Sequence, residues 1–233
     1  MAPQTPPPRR TPLNRDRVLH AAVALADRSG HEALSMRGLA QDLGVVPMAL
    51  YKHVANKEQL LDGMVDVIVG EIEPPAAGAH WKNAVRGRIL SARRALLRHP
   101  WASRVMESRP APTPGVLGYL DSVIGAFRAG GLSADLTHHA MHALGSRVWG
   151  FTQDLFPAPP DDADAGEPAG LPGEMAARYP HIASIAAIAA SRPHDGDSVV
   201  GGGCDDQFEF EFALDLLLDG IERLHRQGWT SAG

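Results

Sequence analysis

Between Arg37 and Lys57 the chain gathers Met48, Ala49, Tyr51, Lys52 and His53, a mixture of small, aromatic and basic side chains. Such a mixture suits the major groove of DNA. A guanidinium such as that of Arg37 can fork onto guanine, and apolar groups such as Met48 and Ala49 can meet thymine methyls. No catalytic constellation accompanies them. The chain has no Gly-x-Ser-x-Gly, no His-Glu-x-x-His and no second cysteine to pair with Cys204. Gly201-Gly202-Gly203 lacks the Lys-Ser/Thr and the preceding strand of a phosphate loop. His138 and His142 stand four apart, a metal-ligand spacing on a helix, but no carboxylate or cysteine follows the pattern closely.

Two short helices around a tight turn must position the groove-facing groups. Ser35 suits an N-cap, after which Leu39, Ala40 and Leu43 fall on one face at helical spacing. Gly44 stops that helix where the chain needs a positive φ. Pro47 sits in the first turn of the next helix, whose buried side is Val45 and Leu50. In front, Asn14 caps a helix that runs to Ser29 and closes at Gly30, with Val18, Ala21, Ala22, Leu25 and Ala26 as its stripe. Behind, Asn56 and Gln59 form a reciprocal cap for a helix carrying Leu60, Leu61, Met64, Ile68 and Ile72, which ends before Pro74-Pro75.

Leu39-Ala40, Leu43-Gly44-Val45 and above all Leu50-Tyr51-Lys52-His53-Val54, followed by Asn56-Lys57 and Leu60-Leu61, resemble the DNA-binding domain of the tetracycline-repressor (TetR) family of bacterial transcription regulators. The resemblance covers about residues 13–72; beyond them it lies in length and helical pattern. It implies an all-α fold, with an N-terminal three-helix helix-turn-helix domain and a larger helical C-terminal regulatory and dimerisation domain. It also implies a homodimer that reads an inverted-repeat operator in double-stranded DNA, and a small-molecule effector that releases it. The DNA-facing set is then Ser35, Met36, Arg37, Pro47, Met48, Ala49, Tyr51, Lys52, His53 and Lys57. Arg37 matches a position that often reaches a base, and Tyr51, His53 and Lys57 match phosphate-contacting positions. The stretch Val46-Pro47-Met48-Ala49 departs from the commonest pattern by offering no hydroxyl. Weight therefore shifts to Arg37, Lys52 and DNA shape.

Residues 1–12 are Pro-rich and read as a disordered tail, 13–73 as the DNA-binding domain and 80–233 as the effector-binding and dimerisation domain. Within the latter, helices are expected from Trp81 to His99-Pro100, briefly over Trp101–Glu107, from Thr113-Pro114 to Ala129 and from Ser133 to Phe156. Loops are expected near 157–173 and 191–206, with a helix around Gly173–Ala190 broken at Tyr179-Pro180. Phe208, Phe210 and Phe212 alternate like a strand, but a lone strand has no partner, and Leu214, Leu217, Leu218, Ile221 and Leu224 keep a helical period. The last segment is therefore read as a helix apolar on much of its circumference, which calls for burial on two sides.

In the family, two C-terminal helices of each subunit form an intermolecular four-helix bundle, and 133–156 with 205–227 match that pair. The dimer interface expected here is Leu136, Ala140, Leu144, Val148, Phe151 and Leu155 with Phe210, Leu214, Leu217, Ile221 and Leu224. The family's effector cavity lies in the C-terminal domain. Trp101, Met106, Leu120, Ile124, Phe127, His142 and Trp149 are the expected lining, which suits a mainly apolar ligand.

Charge and composition set outer bounds. Residues 9–57 hold eight cations against four anions, a surplus of four that leaves −9 for the rest of a chain of net charge −5. A basic head on an acidic body orients the head toward phosphate. The sequence contains no apolar run of about 18 residues for a membrane span, no secretory h-region and one cysteine, which together fit the cytoplasm. No cofactor and no metal are expected. Two other readings compete: a helical metal protein or enzyme using His138, His142 and His181, which stoichiometric metal would reveal, and a helical adaptor, which a stable homodimer would count against.

Overall fold

The structure, a computed structural model, describes residues 12–148, 173–184 and 206–232. The tail expected over 1–12 and the loops expected near 157–173 and 191–206 lie outside those ranges apart from their edge residues, as do Trp149, Phe151 and Leu155. All regular structure among the described residues is helical: α1 (Arg15–Ser29), α2 (Met36–Asp42), α3 (Pro47–Leu50), α4 (Lys57–Gly70), α5 (Trp81–Arg98), α6 (Ala102–Ser108), α7 (Pro114–Ala129), α8 (Ala134–Val148), α9 (Gly173–Arg178) and α10 (Asp206–Arg226). A further helical stretch, 180–184, resumes beyond Tyr179.

The caps show why the first helices begin where they do. Asn14 accepts from the Arg17 N–H at 2.8 Å, Ser35 from Gly38 at 3.1 Å and Asn56 from Gln59 at 2.8 Å. Each satisfies an N–H with no partner inside its helix. The Gln59 carboxamide answers one residue earlier than a reciprocal cap requires, accepting from the Ala55 N–H at 2.5 Å. Spacing in the sequence cannot distinguish those two donors.

By backbone contacts the chain forms two compact units. The first joins residues 1–75 to 91–123, and the second joins 76–90 to 124–233, so α5 and α7 each belong partly to both. Residues 91–123 pack with the head because Ala95, Trp101, Ala102 and Val105 belong to its buried core. That core centres on Val18 and Ala22 of α1, Leu39 of α2, Leu50 of α3, and Leu60, Met64 and Ile68 of α4. Burying each such leucine stabilises the fold by about 1.5–3 kcal/mol.

In the second unit α8 packs on α10. Leu136, Ala140 and Leu144 are buried, together with Phe210, Leu214, Leu218 and Ile221. These residues of the expected dimer interface are covered within this one chain. Leu217 and Leu224 are half-buried, and Val148 ends the described part of α8. The strand-like Phe208–Phe212 run is helical, and Phe208, Phe212 and Leu216 are exposed. The first half of α5 is bonded to α10 by ion pairs. Lys82 meets Asp219 and Glu222, and Arg86 donates to Asp215 and Glu211, each at 2.6 Å. The Gln207 amide and then Arg86 hold the Glu211 carboxyl below the usual range, while Asp215 raises Arg86.

Gly130 closes α7 against Trp81, whose indole packs 5.6 Å from the Phe127 ring. A Cβ at Gly130 would overlap the indole and lie 2.6 Å from the Cβ of Trp81. A rigid ring cannot yield as a flexible chain can. Gly130→Ala is expected to destabilise the protein by about 1–3 kcal/mol. Urea unfolding checks this, and an unchanged midpoint would show that the close approach is not required.

Candidate nucleic-acid interface

The turn between α2 and α3 is fixed by its backbone. Gly44 has φ +65°, and its N–H donates to the Gln41 carbonyl at 3.1 Å. The next N–H, of Val45, returns to Ala40 at 2.9 Å, so the carbonyls at the end of α2 are satisfied while the chain reverses direction. Helix α3 is only four residues long and is held by Leu50, which is 0% exposed. The N–H groups of His53 and Val54 both donate to the Leu50 carbonyl, at 2.8 and 3.0 Å, which closes the corner into α4.

With Leu50 and Val54 inward, the opposite side faces solvent. Val46 is 68% exposed, Met48 71% and Tyr51 46%. Ser35, Arg37, Pro47, Lys52 and Lys57 are exposed, while Ala49 and His53 are half-buried. Arg37, Lys52 and Lys57 make no ion pair with any described residue. Met36 differs from the rest: it packs against the head's core, so it supports the surface rather than joining it. Ser35 is occupied as a cap. Val46 belongs with the exposed group, and the missed signal was its place immediately before the Pro47 that opens α3.

Helix α4 carries the head's other built feature. Arg109 has a buried side chain that meets Glu58 and, at 2.9 Å, Asp62. Asp66 accepts from the Gly115 N–H at 2.9 Å, Glu71 from Arg98 at 2.6 Å and Glu73 from Arg94 at 3.0 Å. Carboxylates along and just beyond α4 thus bond to residues between 94 and 115 at nearly every turn. The spacing of Glu58, Asp62 and Asp66 was readable, but their partners were not, because those contacts cross about fifty positions of sequence.

The expected effector residues divide between the two units: Trp101, Met106 and Leu120 belong to the first, Ile124, Phe127 and His142 to the second. Trp101 is buried in the head's core, its indole N–H donating to Asp27 at 2.6 Å, and Met106 packs on the same core. Their contacts are with α1 and α4. Leu120 is half-buried and Ile124 exposed on α7, and Phe127 is wholly buried beside Trp81. His142 is exposed, its ring 4.7 Å from that of His138. No group of three or more potential metal-ligating side chains occurs among the described residues. Nor, among them, is any helix long and apolar enough to cross a membrane.

A helix-turn-helix with an outward apolar and basic face, set on a longer helical chain, defines a DNA-binding regulator. The family model for bacterial regulatory proteins of the tetR family matches residues 18–64, and that for the tetracyclin repressor-like C-terminal domain matches 74–225. An HTH-type transcriptional regulator of Saccharopolyspora erythraea is 32% identical over 210 residues, 90% of this chain and 84% of the relative. Among solved structures, a TetR transcriptional regulator from Streptomyces coelicolor superposes with TM-score 0.71 at 26% identity, covering 92% of this chain and all (100%) of that one. The TetR family protein ActR of the same organism, solved in complex with (S)-DNPA, gives TM-score 0.65 at 27% identity, with coverage of 92% and 100%. The chain belongs to the TetR family. It is a DNA-binding transcriptional regulator.

The turn itself is testable. Nothing lies within 4 Å of a Cβ built at Gly44, so a side chain there meets only backbone strain. Gly44→Ala is expected to destabilise the protein by about 1–2 kcal/mol, and Gly44→Asn by less, since Asn tolerates the left-handed region. Thermal unfolding of the two variants separates them. Equal losses would place the cost in packing instead.

Proposed function

We propose that the protein acts in the cytoplasm as a homodimeric repressor, released from an inverted-repeat operator by a small, mainly apolar ligand. The observation that carries the DNA reading is the split of one short segment. Leu50 and Val54 are wholly buried, while Val46, Met48, Tyr51 and Lys52 stand out in solvent. Arg37 reads a base, and Tyr51, Lys52, His53 and Lys57 hold phosphates, with Met48 and Ala49 toward the base edges. The outward apolar pair gives few directional contacts, so DNA shape carries part of the specificity.

The dimer reading moves to the outer face of α10. Phe208, Phe212 and Leu216 recur every fourth residue, all exposed, with the two rings 6.4 Å apart. Exposed apolar stripes of this kind mark association sites, and a second copy of the same helix is the occupant that the family predicts. The effector reading retains Leu120, Ile124, Phe127, His142 and Trp149 and drops Trp101 and Met106. ActR with its bound small molecule supports a ligand-responsive body. Release follows when the ligand prefers the conformer whose heads are mis-spaced, and the shift cannot exceed that preference.

Gel-shift titration on an operator selected from a random duplex library tests the DNA face. Arg37→Ala is expected to cost about 1–3 kcal/mol and relax base preference, whereas Lys52→Ala weakens binding evenly and lowers the salt slope by about one. If both variants bound like the wild type, the recognition face would lie elsewhere. For the dimer, the double substitution Phe212→Glu and Leu216→Glu is expected to sediment as a monomer with its helix content retained. An unshifted dimer would move the interface off this stripe.

A further inference from the structure

One buried titratable side chain of the first unit touches two helices of the head at once. His99, which follows α5, is 8% exposed. Its Nδ1 lies 2.8 Å from Oδ1 of Asp27 on α1, and its Nε2 lies 3.3 Å from Oε1 of Glu71 at the end of α4. The same Asp27 oxygen accepts from the Trp101 indole, and Glu71 Oε2 accepts from Arg98 at 2.6 Å. The charged groups around the ring are thus Asp27 from α1, Glu71 from α4 and Arg98 from its own helix. From the α6 side comes the neutral Trp101, with the His31 ring 6.5 Å beyond it.

Carboxylate oxygens only accept. A neutral imidazole carries one N–H, so it would point a lone pair at one of the two carboxylates. Both contacts are hydrogen bonds only when both ring nitrogens are protonated, and each is then charge-assisted. We propose that His99 is a positioning residue for operator binding, a clamp that ties α1 and α4 to the corner between α5 and α6. The ring bridges α1 and the end of α4, beside the Arg98–Glu71 and Arg94–Glu73 bonds that already tie α4 to α5.

This inference rests on the reading of two heads on an inverted repeat. A clamp that sets head orientation affects a two-headed complex, which needs a fixed spacing, far more than one head on one half-site. The ratio of full-site affinity to the square of half-site affinity therefore isolates it, because contacts made within each head count twice on the repeat and once on the half-site.

The wild type is first used to select an operator from a random duplex library. Binding to the selected repeat and to a single half-site is then measured for the wild type and for His99→Gln at one pH and one ionic strength. His99→Gln is expected to lower the ratio about fivefold or more. An unchanged ratio in His99→Gln overturns the clamp. If the wild type does not prefer the repeat to the half-site, the dimeric-repressor reading fails instead. The clamp is then judged on the protein alone by a double-mutant cycle of His99→Gln and Asp27→Asn in thermal unfolding. Coupling between them supports it, and simple additivity overturns it.

Discussion

The recognition surface is made of helices too short to exist alone. Helix α2 has seven residues and α3 four, whereas isolated helices shorter than about 12 residues are marginal in water even with favourable sequences. Their conformation depends on burying Leu39, Ala40, Leu50 and Val54 against α1 and α4. Every groove-facing group is consequently positioned by an inward neighbour: Tyr51 and Lys52 by Leu50, Arg37 by Leu39, Met48 by the turn at Gly44. Loss of that core would leave the right side chains on a chain with no fixed shape. DNA-binding specificity and head stability are in this sense a single property.

The same dependence extends to α4, whose apolar side supplies Leu60, Met64 and Ile68 while its acidic side bonds to residues 94–115. A buried guanidinium such as that of Arg109 is costly unless it is paired, and Glu58 and Asp62 both lie within ion-pair distance of it. Such contacts resist gradual displacement: shifting α4 breaks charge-assisted bonds at several turns rather than sliding apolar surface over apolar surface. A helix held in that way moves between discrete arrangements. That is the mechanical property a ligand-controlled regulator needs, since a packed element with two arrangements converts a small bias into a change of state.

The head was legible in the sequence because its determinants are local. Ser35, Asn14 and Asn56 cap helices within three residues of themselves, Gly44 states its own φ, and the stripe of α1 is set by spacing alone. Of the expected DNA-facing set, Ser35, Arg37, Pro47, Met48, Tyr51, Lys52 and Lys57 are exposed, whereas Met36 packs on the core, one residue from Arg37. What spacing leaves open is the partner of each apolar face. Leu136, Ala140 and Leu144 form a valid stripe, but periodicity says only that a face is buried, not whether the same chain or another covers it. On α10, apolar on much of its circumference, the face that packs and the face left in solvent differ by two residues: Phe210 is buried, Phe208 and Phe212 are not. Trp101 shows the same gap. Its position after α5 suggested the body, and only its long-range bond to Asp27 places it in the head.

Net charge is a poor guide to how this molecule meets DNA, because several of its cations are already paired. The acids of α10, Glu211, Asp215, Asp219 and Glu222, face Lys82 and Arg86, and those on α4 and just beyond it take up Arg94, Arg98 and Arg109. A phosphate competing for those cations would have to break intramolecular bonds, several of them partly desolvated. Arg37, Lys52 and Lys57 stand otherwise: they are exposed, lie on or beside the recognition helices and make no ion pair with any described residue. A chain of net charge −5 can therefore present a locally cationic face where Arg37, Lys52 and Lys57 stand exposed without an acidic partner among the described residues. The field that a phosphate feels within a Debye length of about 8–10 Å is set by that unpaired set rather than by the sum over the chain.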